Sequence, residues 1–378
     1  MRKLNIILTA HDFVSPIRGG AGLLIVKAAL ELRKRGNHVK IMAPTDNKNI
    51  NGIEIINLPH VSKDKPFILT ASKYMLFFVF ELFKIKKFDV IFTHGIAGIP
   101  AVIFGKIFNK KVIIDVTDLH TEYLKESPKK FPWKIFISIV SKLEYSSLIF
   151  ATKVIVVSNV MKNILIKNGV DSSRLHVVYY VGFEVEKFST EKQKKDYFTI
   201  IHHGGVDVQD GVNYIAEAAP LVLEKYPETK FMIVGGGACL DFVKEITKRK
   251  GVEKSFIFTG WKPYDEIMNY LKEADIGLVT RPNTLANNTV LPLKLLEYWA
   301  SGTAAISSRL KGIQEVAEEN DDIVFFEPDN PKDLAEKLIN LLESPELVQK
   351  LQKKGRMKAI GKFNWEILVK EMAEIIEE

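Results

Sequence analysis

The sequence contains very little cysteine. Cys239 is the single cysteine among 378 residues, so an intramolecular disulfide framework is excluded, and no group of Cys and His residues has the spacing of a zinc site. A reducing compartment fits this composition, and we expect a cytoplasmic protein. The proportions of 47% hydrophobic and 26% charged residues are those of an ordinary soluble protein, and the length favours two domains.

Long uninterrupted apolar runs are absent as well. The first ten residues carry two basic residues and a short apolar run without a cleavage region, which predicts a buried strand rather than a targeting signal. The most apolar stretch, Pro66 to Phe83, is interrupted by Lys73 and Glu81. It falls short of the roughly 18 apolar residues of a spanning helix, so we predict no transmembrane segment.

Charge of one sign is only slightly in excess. The net charge of +7 comes from 53 basic and 46 acidic residues, and no nucleic-acid-binding motif accompanies it, so we expect no nucleic acid partner. Lysines alternate with apolar residues over 125–142, and they end the aromatic-rich segment Lys73 to Lys87. This pattern favours peripheral contact with an anionic membrane at its inner face; the alternative is two buried helices with solvated ends.

Short β-branched apolar runs alternate with helical patterns along nearly the whole chain, which predicts parallel sheets with helical crossovers. The predicted strands are Leu4 to Leu8, Val39 to Met42, Val90 to Phe92, Lys111 to Asp115 and Val154 to Val157 in the first half, and Tyr197 to His202, Lys230 to Val234, Ser255 to Phe258, Ile276 to Val279, Thr303 to Ser307 and Ile323 to Phe326 in the second. The polar run 189–196 has no hydrophobic period and separates two such series. We therefore predict an α/β protein with two Rossmann-like, doubly wound parallel sheets that face each other across a cleft, in domains 1–188 and 189–361. Ligands of such folds lie at the carboxyl ends of the strands.

Three glycine clusters lie at the ends of predicted strands. Gly19 and Gly20 precede a helical pattern, and the other clusters are Gly204-Gly205 and 235–237. Glycines at such places let backbone amides approach an anion, although each cluster alone also fits a tight turn. The first cluster is not a dinucleotide fingerprint, because the Gly-x-Gly-x-x-Gly spacing is missing.

The stretch 287–302 is the most informative part of the sequence. Pro292 predicts a helix start, and Lys294 and Glu297, three residues apart, share a face of that helix. An anion at the N-terminus would meet free amides, the lysine and the positive end of the helix dipole, and Glu297 could accept both hydroxyls of a ribose. The alternative is an exposed Lys–Glu pair without function.

Four titratable residues cluster in 115–122, after a predicted strand of the first half, and Asp118 and His120 are among them. Such clustering can tune a pKa for catalysis. The alternative is a solvated loop with a helix cap, since one histidine has no partner that the sequence can prove.

Together these segments resemble the retaining glycosyltransferases of family four, which have the GT-B fold, over nearly the whole chain. The region around Lys294 and Glu297 is similar to the donor-binding signature of the branch that uses nucleotide-linked N-acetyl-amino sugars in polysaccharide and lipid-linked glycan assembly. Asp118-Leu119 with Glu122 is similar to that branch's Asp-Leu-Trp-Pro-Glu, with His120 in the Trp place. The segment 182–188 resembles the motif that ends the first domain, and about 362–378 resembles the helix that packs back on it.

The resemblance implies a role for each matching residue. Glu297 would hold the ribose, the amides of Leu293 and Lys294 the diphosphate, and Trp261 the base. The first domain would bind the acceptor, with its two glycines closing on the diphosphate and its histidine lying near the transferred sugar. The candidate catalytic residues are Asp118, His120 and Glu297. The candidate donor-binding residues are Gly19, Gly20, Gly204, Gly205, Trp261, Arg281, Thr289, Leu293, Lys294 and Glu297.

The sequence departs from the family pattern at the diphosphate site. The usual Arg and Lys after the first strand of the second domain are absent, and 204–211 carries Asp207 and Asp210 instead. Arg281 and Lys294 are our candidates for the charge that must stabilise the leaving diphosphate. Thr289 stands where the family more often has its first glutamate. The resemblance implies no metal ion and no cofactor, and we predict no metal site.

These features predict a retaining transferase that moves a hexose or N-acetylhexosamine from a nucleotide diphosphate sugar, foremost a UDP-sugar, to a hydroxyl of a lipid-linked or polysaccharide glycan. A nucleotide-sugar 2-epimerase of the same architecture is one alternative. A catalytically silent sugar-nucleotide-binding protein is another, because the usual Arg/Lys pair is missing.

Overall fold

The computed structural model describes residues 2–11, 13–15, 20–60, 67–85, 87–118, 131–179, 188–192 and 195–378. The chain divides into two compact units. Unit 1 comprises Met1–Tyr180 and Trp365–Glu378, and unit 2 comprises Val181–Asn364. Each unit has its own sheet and its own hydrophobic core.

The described part of unit 1 contains an eight-stranded sheet in the order β3-β4-β2-β1-β5-β6-β7-β8, with β3 and β4 antiparallel and the other pairs parallel. The strands are β1 (Asn5–Thr9), β2 (His38–Ala43), β3 (Asn49–Ile50), β4 (Ile53–Asn57), β5 (Val90–His94), β6 (Lys111–Val116), β7 (Lys153–Val156) and β8 (Leu175–Val177). The helices are α1 (Gly20–Lys34), α2 (Phe67–Lys84), α3 (Gly98–Phe108), α4 (Phe131–Phe150), α5 (Asn159–Lys167) and, after unit 2, α14 (Trp365–Glu377). Buried β-branched and aromatic residues fill the central strands, because helices cover both faces of a parallel sheet.

Helix α14 belongs to unit 1 through polar contacts as well as apolar ones. The side chain of Asn37 donates to Glu377 at 2.6 Å, and Arg35 pairs with the same carboxylate at 3.1 Å. Met372 and Leu368 are buried in the core of unit 1. The end of the described chain is thus part of the first sheet's helical layer.

Unit 2 contains a six-stranded parallel sheet in the order β11-β10-β9-β12-β13-β14. The strands are β9 (Thr199–Gly205), β10 (Lys230–Gly236), β11 (Phe256–Gly260), β12 (Ile276–Val279), β13 (Ala304–Ser308) and β14 (Val324–Phe326). The helices are α6 (Asn213–Lys225), α7 (Leu240–Arg249), α8 (Tyr264–Glu273), α9 (Leu285–Thr289), α10 (Leu293–Ala300), α11 (Lys311–Gln314), α12 (Pro331–Leu342) and α13 (Pro345–Lys362). The strand order reverses at β9 and β12, which is where a doubly wound sheet binds its ligands.

The glycines at the ends of β9 and β10 lie within the strands, not after them as the sequence predicts. Gly204 pairs with Gly235 and Gly205 with Gly236. Gly235 has a φ of +144°, and a Cβ there would lie 1.9 Å from the carbonyl oxygen of Gly204. Only glycine allows the two backbones to approach this closely.

Aromatic residues of α10 fix that helix against the sheet and against α13. The Tyr298 ring lies so close to β12 that a Cβ on Gly277 would be 2.4 Å from it. The Trp299 indole donates to the carbonyl of Asp322 at 2.8 Å and covers Gly355. The residues of α10 that follow Leu293 are all buried, so its start has a defined position at the carboxyl edge of the sheet.

Across the described residues, every helix is either too short or too polar to span a lipid bilayer.

Candidate donor site in unit 2

Helix α10 begins as the sequence predicts. Pro292 is the N-cap, with extended backbone at ψ 131°, and Leu293 is the first helical residue. Proline has no N–H and no side chain that can cap, so no side chain satisfies the first-turn amides. The amides of Leu293 and Lys294 are therefore available to an anion at the positive end of the helix dipole.

Lys294 and Glu297 do not form an exposed ion pair. Both side chains are buried, and the Lys294 ammonium pairs instead with Asp210, with 3.1 Å between Nζ and Oδ1. Burial lowers the pKa of Lys294 and the Asp210 carboxylate opposes this. Burial alone would raise the pKa of Asp210, but Lys294 and Arg281 hold it below its ordinary value, so the pair is ionised.

Arg281 follows β12 and lies in the field of the same carboxylate. Its Nη1 donates to Asn287 Oδ1 at 3.3 Å, and the Asn287 amide in turn donates to the carbonyls of Gln209 and Pro282 at 3.2 and 3.0 Å. Asn287 thus ties the guanidinium to the turn that carries Asp210. Within the described residues, Arg281 Nε is buried without a hydrogen-bond partner.

Gly204 and Gly205, the last two residues of β9, lie beside these charges, and we call this pair the glycine turn. Gly204 has a φ of +106°, and a Cβ there would be 3.7 Å from the Lys294 ammonium. A Cβ on Gly205 would be 2.7 Å from Asp210 Oδ2, so a larger residue would displace that carboxylate. The structure therefore brings Gly204, Gly205, Arg281, Leu293 and Lys294 together at one edge of the sheet.

Glu297 lies one turn into α10 and faces His203, the residue before the glycine turn. His203 Nε2 and Glu297 Oε2 are 3.3 Å apart, and both side chains are buried. Burial raises the pKa of Glu297 to about 7, although a hydrogen bond from Tyr264 and the charge of Lys294 oppose it. Burial, followed by the charge of Lys294, holds the pKa of His203 well below its ordinary value, so this imidazole is neutral.

The other predicted donor residues lie at different places. Trp261 follows β11 and is 76% exposed. Thr289 is fully buried, and its hydroxyl donates to the Ala286 carbonyl at 2.7 Å. Gly20 is the first residue of α1 in unit 1. Gly19 lies outside the described residues.

Of the predicted catalytic residues in unit 1, Asp118 is described and His120 lies outside the described residues. Asp118 follows β6 and lines a narrow crevice with His11, His94 and Asp115. His94 Nδ1 and Asp115 Oδ2 are 3.7 Å apart. Burial, and then the charge of Asp118, raises the pKa of Asp115 well above its ordinary range.

Sequence reasoning did not single out three side chains that lie at this candidate site: Asp210, His203 and Asn287. Asp210 and His203 act through partners 84 and 94 residues away, so no local spacing reveals them, whereas Asn287 contacts Arg281, six residues before it. The local signal is adjacency to Gly204-Gly205: His203 directly precedes these glycines, and Asp210 follows them in the region where the family pattern has a cation. In the described residues, no three His, Cys, Asp or Glu side chains are grouped so that they could hold a metal ion.

Comparison with known proteins agrees with this architecture. Residues 18–180 match the family model "Glycosyltransferase Family 4", and residues 183–358 match "Glycosyl transferases group 1". The chain is therefore a glycosyltransferase of the GT-B class. Its first domain is of the family-four type and its second domain is of the group 1 type.

Individual relatives are distant. The amylovoran biosynthesis glycosyltransferase of Erwinia amylovora is 26% identical over 58% of this chain, and the match spans 55% of that protein. An uncharacterised glycosyltransferase of Methanocaldococcus jannaschii is 21% identical over 96% of this chain and 95% of its own length.

Two solved structures are similar over nearly their full lengths. Sucrose-phosphate synthase from Thermosynechococcus elongatus has a TM-score of 0.80 at 18% identity, covering 99% of this chain and 98% of that one. Anabaena HepE, solved in complex with UDP, has a TM-score of 0.75 at 17% identity, covering 99% and 100%. At these identities the likeness is one of fold.

Proposed function

We propose that the protein moves a hexose or N-acetylhexosamine from a UDP-sugar to a hydroxyl of a lipid-linked or polysaccharide glycan, with retention of the anomeric configuration. The observation that carries the proposal is a pair of cations with unfilled donors, Lys294 and Arg281, beside the glycine turn and the uncapped start of α10. A nucleoside diphosphate would fill those donors.

The ammonium of Lys294 is the first of these two cations. It has three N–H donors, and among the described residues Asp210 is its one hydrogen-bond acceptor. A buried cation with unfilled donors is costly unless an anion completes its shell. Phosphate oxygens make short, charge-assisted hydrogen bonds to such groups. Lys294 and Arg281 place two positive charges beside the start of α10, which suits a leaving diphosphate.

Two comparisons support the substrate class. HepE was solved with UDP and with UDP-glucose, and the Erwinia relative acts in amylovoran biosynthesis. These findings favour a UDP-sugar donor and a role in polysaccharide assembly here. In the retaining reaction we propose, a phosphate oxygen of the donor takes the proton of the acceptor hydroxyl.

Isothermal titration with UDP, GDP, ADP and dTDP tests the donor site. We expect UDP to bind most tightly and Lys294→Met to weaken it by about 30-fold, because a charge-assisted contact contributes about 2 kcal/mol. Lys248→Met, which removes an exposed lysine of α7, is the matched control and should bind as the wild type does. Failure of every nucleoside diphosphate to bind would contradict the proposal.

Incubation with donor alone also separates transfer from epimerisation, which would release a free epimer.

Membrane contact is proposed for an apolar surface formed by α2, α3 and α4. Phe83 of α2 packs edge-on against Phe104 of α3 at 5.3 Å, and Lys106 of α3 lies 3.5 Å from the ring centre of Phe150 in α4. The exposed apolar side chains of this surface are Leu76, Phe77, Phe80, Phe83, Ile103, Ile107, Phe108, Ile139, Leu143 and Phe150. Lysines interspersed with such residues favour an anionic lipid surface, which would bring a lipid-linked acceptor to unit 1.

Flotation with phosphatidylglycerol vesicles at low salt tests this contact. Ile107→Glu should reduce binding severalfold, since it places a negative charge on the apolar surface. Met357→Glu changes an equally exposed residue of unit 2 and should leave binding intact. Equal flotation of both variants, or none by the wild type, would remove the membrane proposal and leave the donor site untouched.

A further inference from the structure

The end of β9 carries two consecutive histidines with different environments. Successive side chains of a strand point to opposite faces of the sheet. His202 Nε2 lies 3.0 Å from the Gly205 carbonyl, so this ring supports the glycine turn. His203 faces α10, where its ring meets Tyr298 edge-on at 5.1 Å. His202 lies in the field of Lys294 and Asp210, whereas His203 is the histidine that lies beside Glu297.

The His203 ring lies against Glu297 without completing a hydrogen bond. Nε2 and Oε2 are 3.3 Å apart, with 6% and 3% of the two side chains exposed. His203 Nε2 and Glu297 Oε1 both lack a hydrogen-bond partner within the described part of the chain. One polar atom of each side chain is thus unsatisfied, side by side, at the carboxyl edge of the sheet.

A purely structural role fits this geometry poorly. Buried polar atoms in folded proteins are almost always paired, and an orphaned one carries the full cost of its desolvation. Two adjacent orphans, one on a carboxylate and one on a neutral imidazole, match a ligand with neighbouring hydroxyls. The carboxylate oxygen accepts from one hydroxyl, and an imidazole N–H donates to the oxygen of the next.

We propose that His203 is a specificity-determining residue of the donor site, which together with Glu297 receives the vicinal hydroxyls of the nucleotide's ribose and so selects ribose over 2′-deoxyribose. The inference rests on the proposed function, because it assumes that a nucleoside diphosphate binds beside α10. The inference adds the neutral imidazole of His203 to the carboxylate of Glu297 as a second group that contacts the ribose. Selection arises because a deoxy sugar leaves one of the two buried atoms unsatisfied.

Titration calorimetry with UDP and 2′-deoxy-UDP tests this assignment. We expect the wild type to bind UDP at least about 10-fold more tightly, the effect of about one lost hydrogen bond in a buried site. His203→Leu should reduce the ratio of the two affinities to less than about threefold. His203→Gln, which keeps an amide N–H on a chain of similar reach, should retain most of the discrimination.

His38→Leu is the matched control, since it makes the same change at an exposed histidine of β2 in unit 1, and it should leave the ratio of the two affinities at the wild-type value. The outcome that overturns the inference is a His203→Leu protein that is folded, binds UDP and discriminates like the wild type. If His203→Leu does not fold, His203→Gln decides. A His203→Gln protein that binds UDP but no longer discriminates against 2′-deoxy-UDP would overturn the claim that a side-chain N–H at this position selects ribose. Absence of UDP binding by the wild type would instead overturn the proposed function, and this inference with it.

Discussion

At the scale of single residues, the candidate donor site contains buried charges that neutralise one another in part. Lys294 and Asp210 are buried and 3.1 Å apart, and Arg281 adds a second positive charge. Removing either member of a buried ion pair leaves the other uncompensated, which costs more than the pair itself contributes. The three charged side chains are thus stable together, and replacing any one of them should destabilise the protein.

Asp210→Ala should therefore lower the free energy of unfolding by about 3 kcal/mol, because the Lys294 ammonium stays buried without its acceptor. The double variant Asp210→Ala with Lys294→Met should lose clearly less than the sum of the two single variants. Urea denaturation of the four proteins measures this. Additive losses would mean that the two side chains act independently.

The pH dependence of donor binding follows from Glu297. Its pKa is about 7 because of burial, and a ribose hydroxyl donates to the ionised form. UDP affinity should therefore fall as pH drops below about 7, by up to about tenfold per pH unit. The free energy of unfolding without ligand has the opposite trend. Folding raises the pKa of this carboxyl, so the folded protein is more stable when Glu297 is protonated, and that stability is lost as the pH rises toward 7.

Titration calorimetry with UDP over about three pH units, from 5.5 to 8.5, measures this dependence on both sides of the pKa. Glu297→Gln is the control: it should bind UDP weakly, and its affinity should not change with pH in this way. Tyr264, Lys294 and His203 face the carboxyl and remain in the variant. A wild-type affinity that stays flat across the range would contradict an ionised Glu297 at the ribose.

The sequence singled out part of this candidate site. Pro292, Lys294 and Glu297 were proposed because a helix start and an i, i+3 pair are local features, and their roles stay predictions. Asp210 and His203 were not, because their partners are 84 and 94 residues away and only the sheet brings them together. Whether Lys294 was exposed also could not be decided locally, since burial depends on the covering elements.

At the scale of elements, the position of α10 depends on glycine in its neighbours. A Cβ on Gly277 of β12 would lie 2.4 Å from the Tyr298 ring, which is closer than any real contact. Gly277 thus sets how near the helix approaches the sheet, and with it the position of Lys294.

Gly277→Ala should force α10 outward, lower the free energy of unfolding by about 1 to 3 kcal/mol and weaken UDP binding. Gly361→Ala is the control: nothing lies within 4 Å of its Cβ position, and the residue is in α13, so alanine should stabilise by about 0.5 to 1 kcal/mol. Thermal and urea unfolding of both variants shows whether the loss in Gly277→Ala comes from its close packing against Tyr298 or from adding a methyl group at any glycine.

Element prediction succeeded where periodicity was strong and failed where strands were short. The alternation of strands and helices was confirmed, and α10 begins after Pro292. The sequence missed β3, β4 and β8, because two to five residues at the edges of a sheet carry little pattern. It also ended β9 and β10 before their glycines, since pairing with a neighbouring strand outweighs the low strand propensity of glycine.

At the scale of the whole molecule, the prediction of two doubly wound α/β domains of GT-B type was confirmed. The roles of individual site residues stay predictions. The fold was predictable because long parallel-sheet patterns extend over the whole chain, whereas the sugar and the acceptor depend on side-chain positions that motifs do not specify.

Helix α14 should contribute to unit 1 through its buried face. Met372→Ala removes a fully buried side chain and should cost about 2 to 5 kcal/mol. Ile367→Ala changes a 43% exposed residue of the same helix and should cost less than about 1 kcal/mol. Denaturant unfolding followed by circular dichroism compares them, and equal losses would show that the helix does not pack as described.

The return of α14 to the first sheet has a consequence during protein synthesis. A ribosome makes the strands of unit 1 first, then all of unit 2, and only afterwards Trp365–Glu377. Unit 2 is contiguous and can complete its core on the nascent chain, whereas unit 1 must wait with α1 uncovered until its last helix emerges. The half of the enzyme that is translated first is therefore the half that matures last.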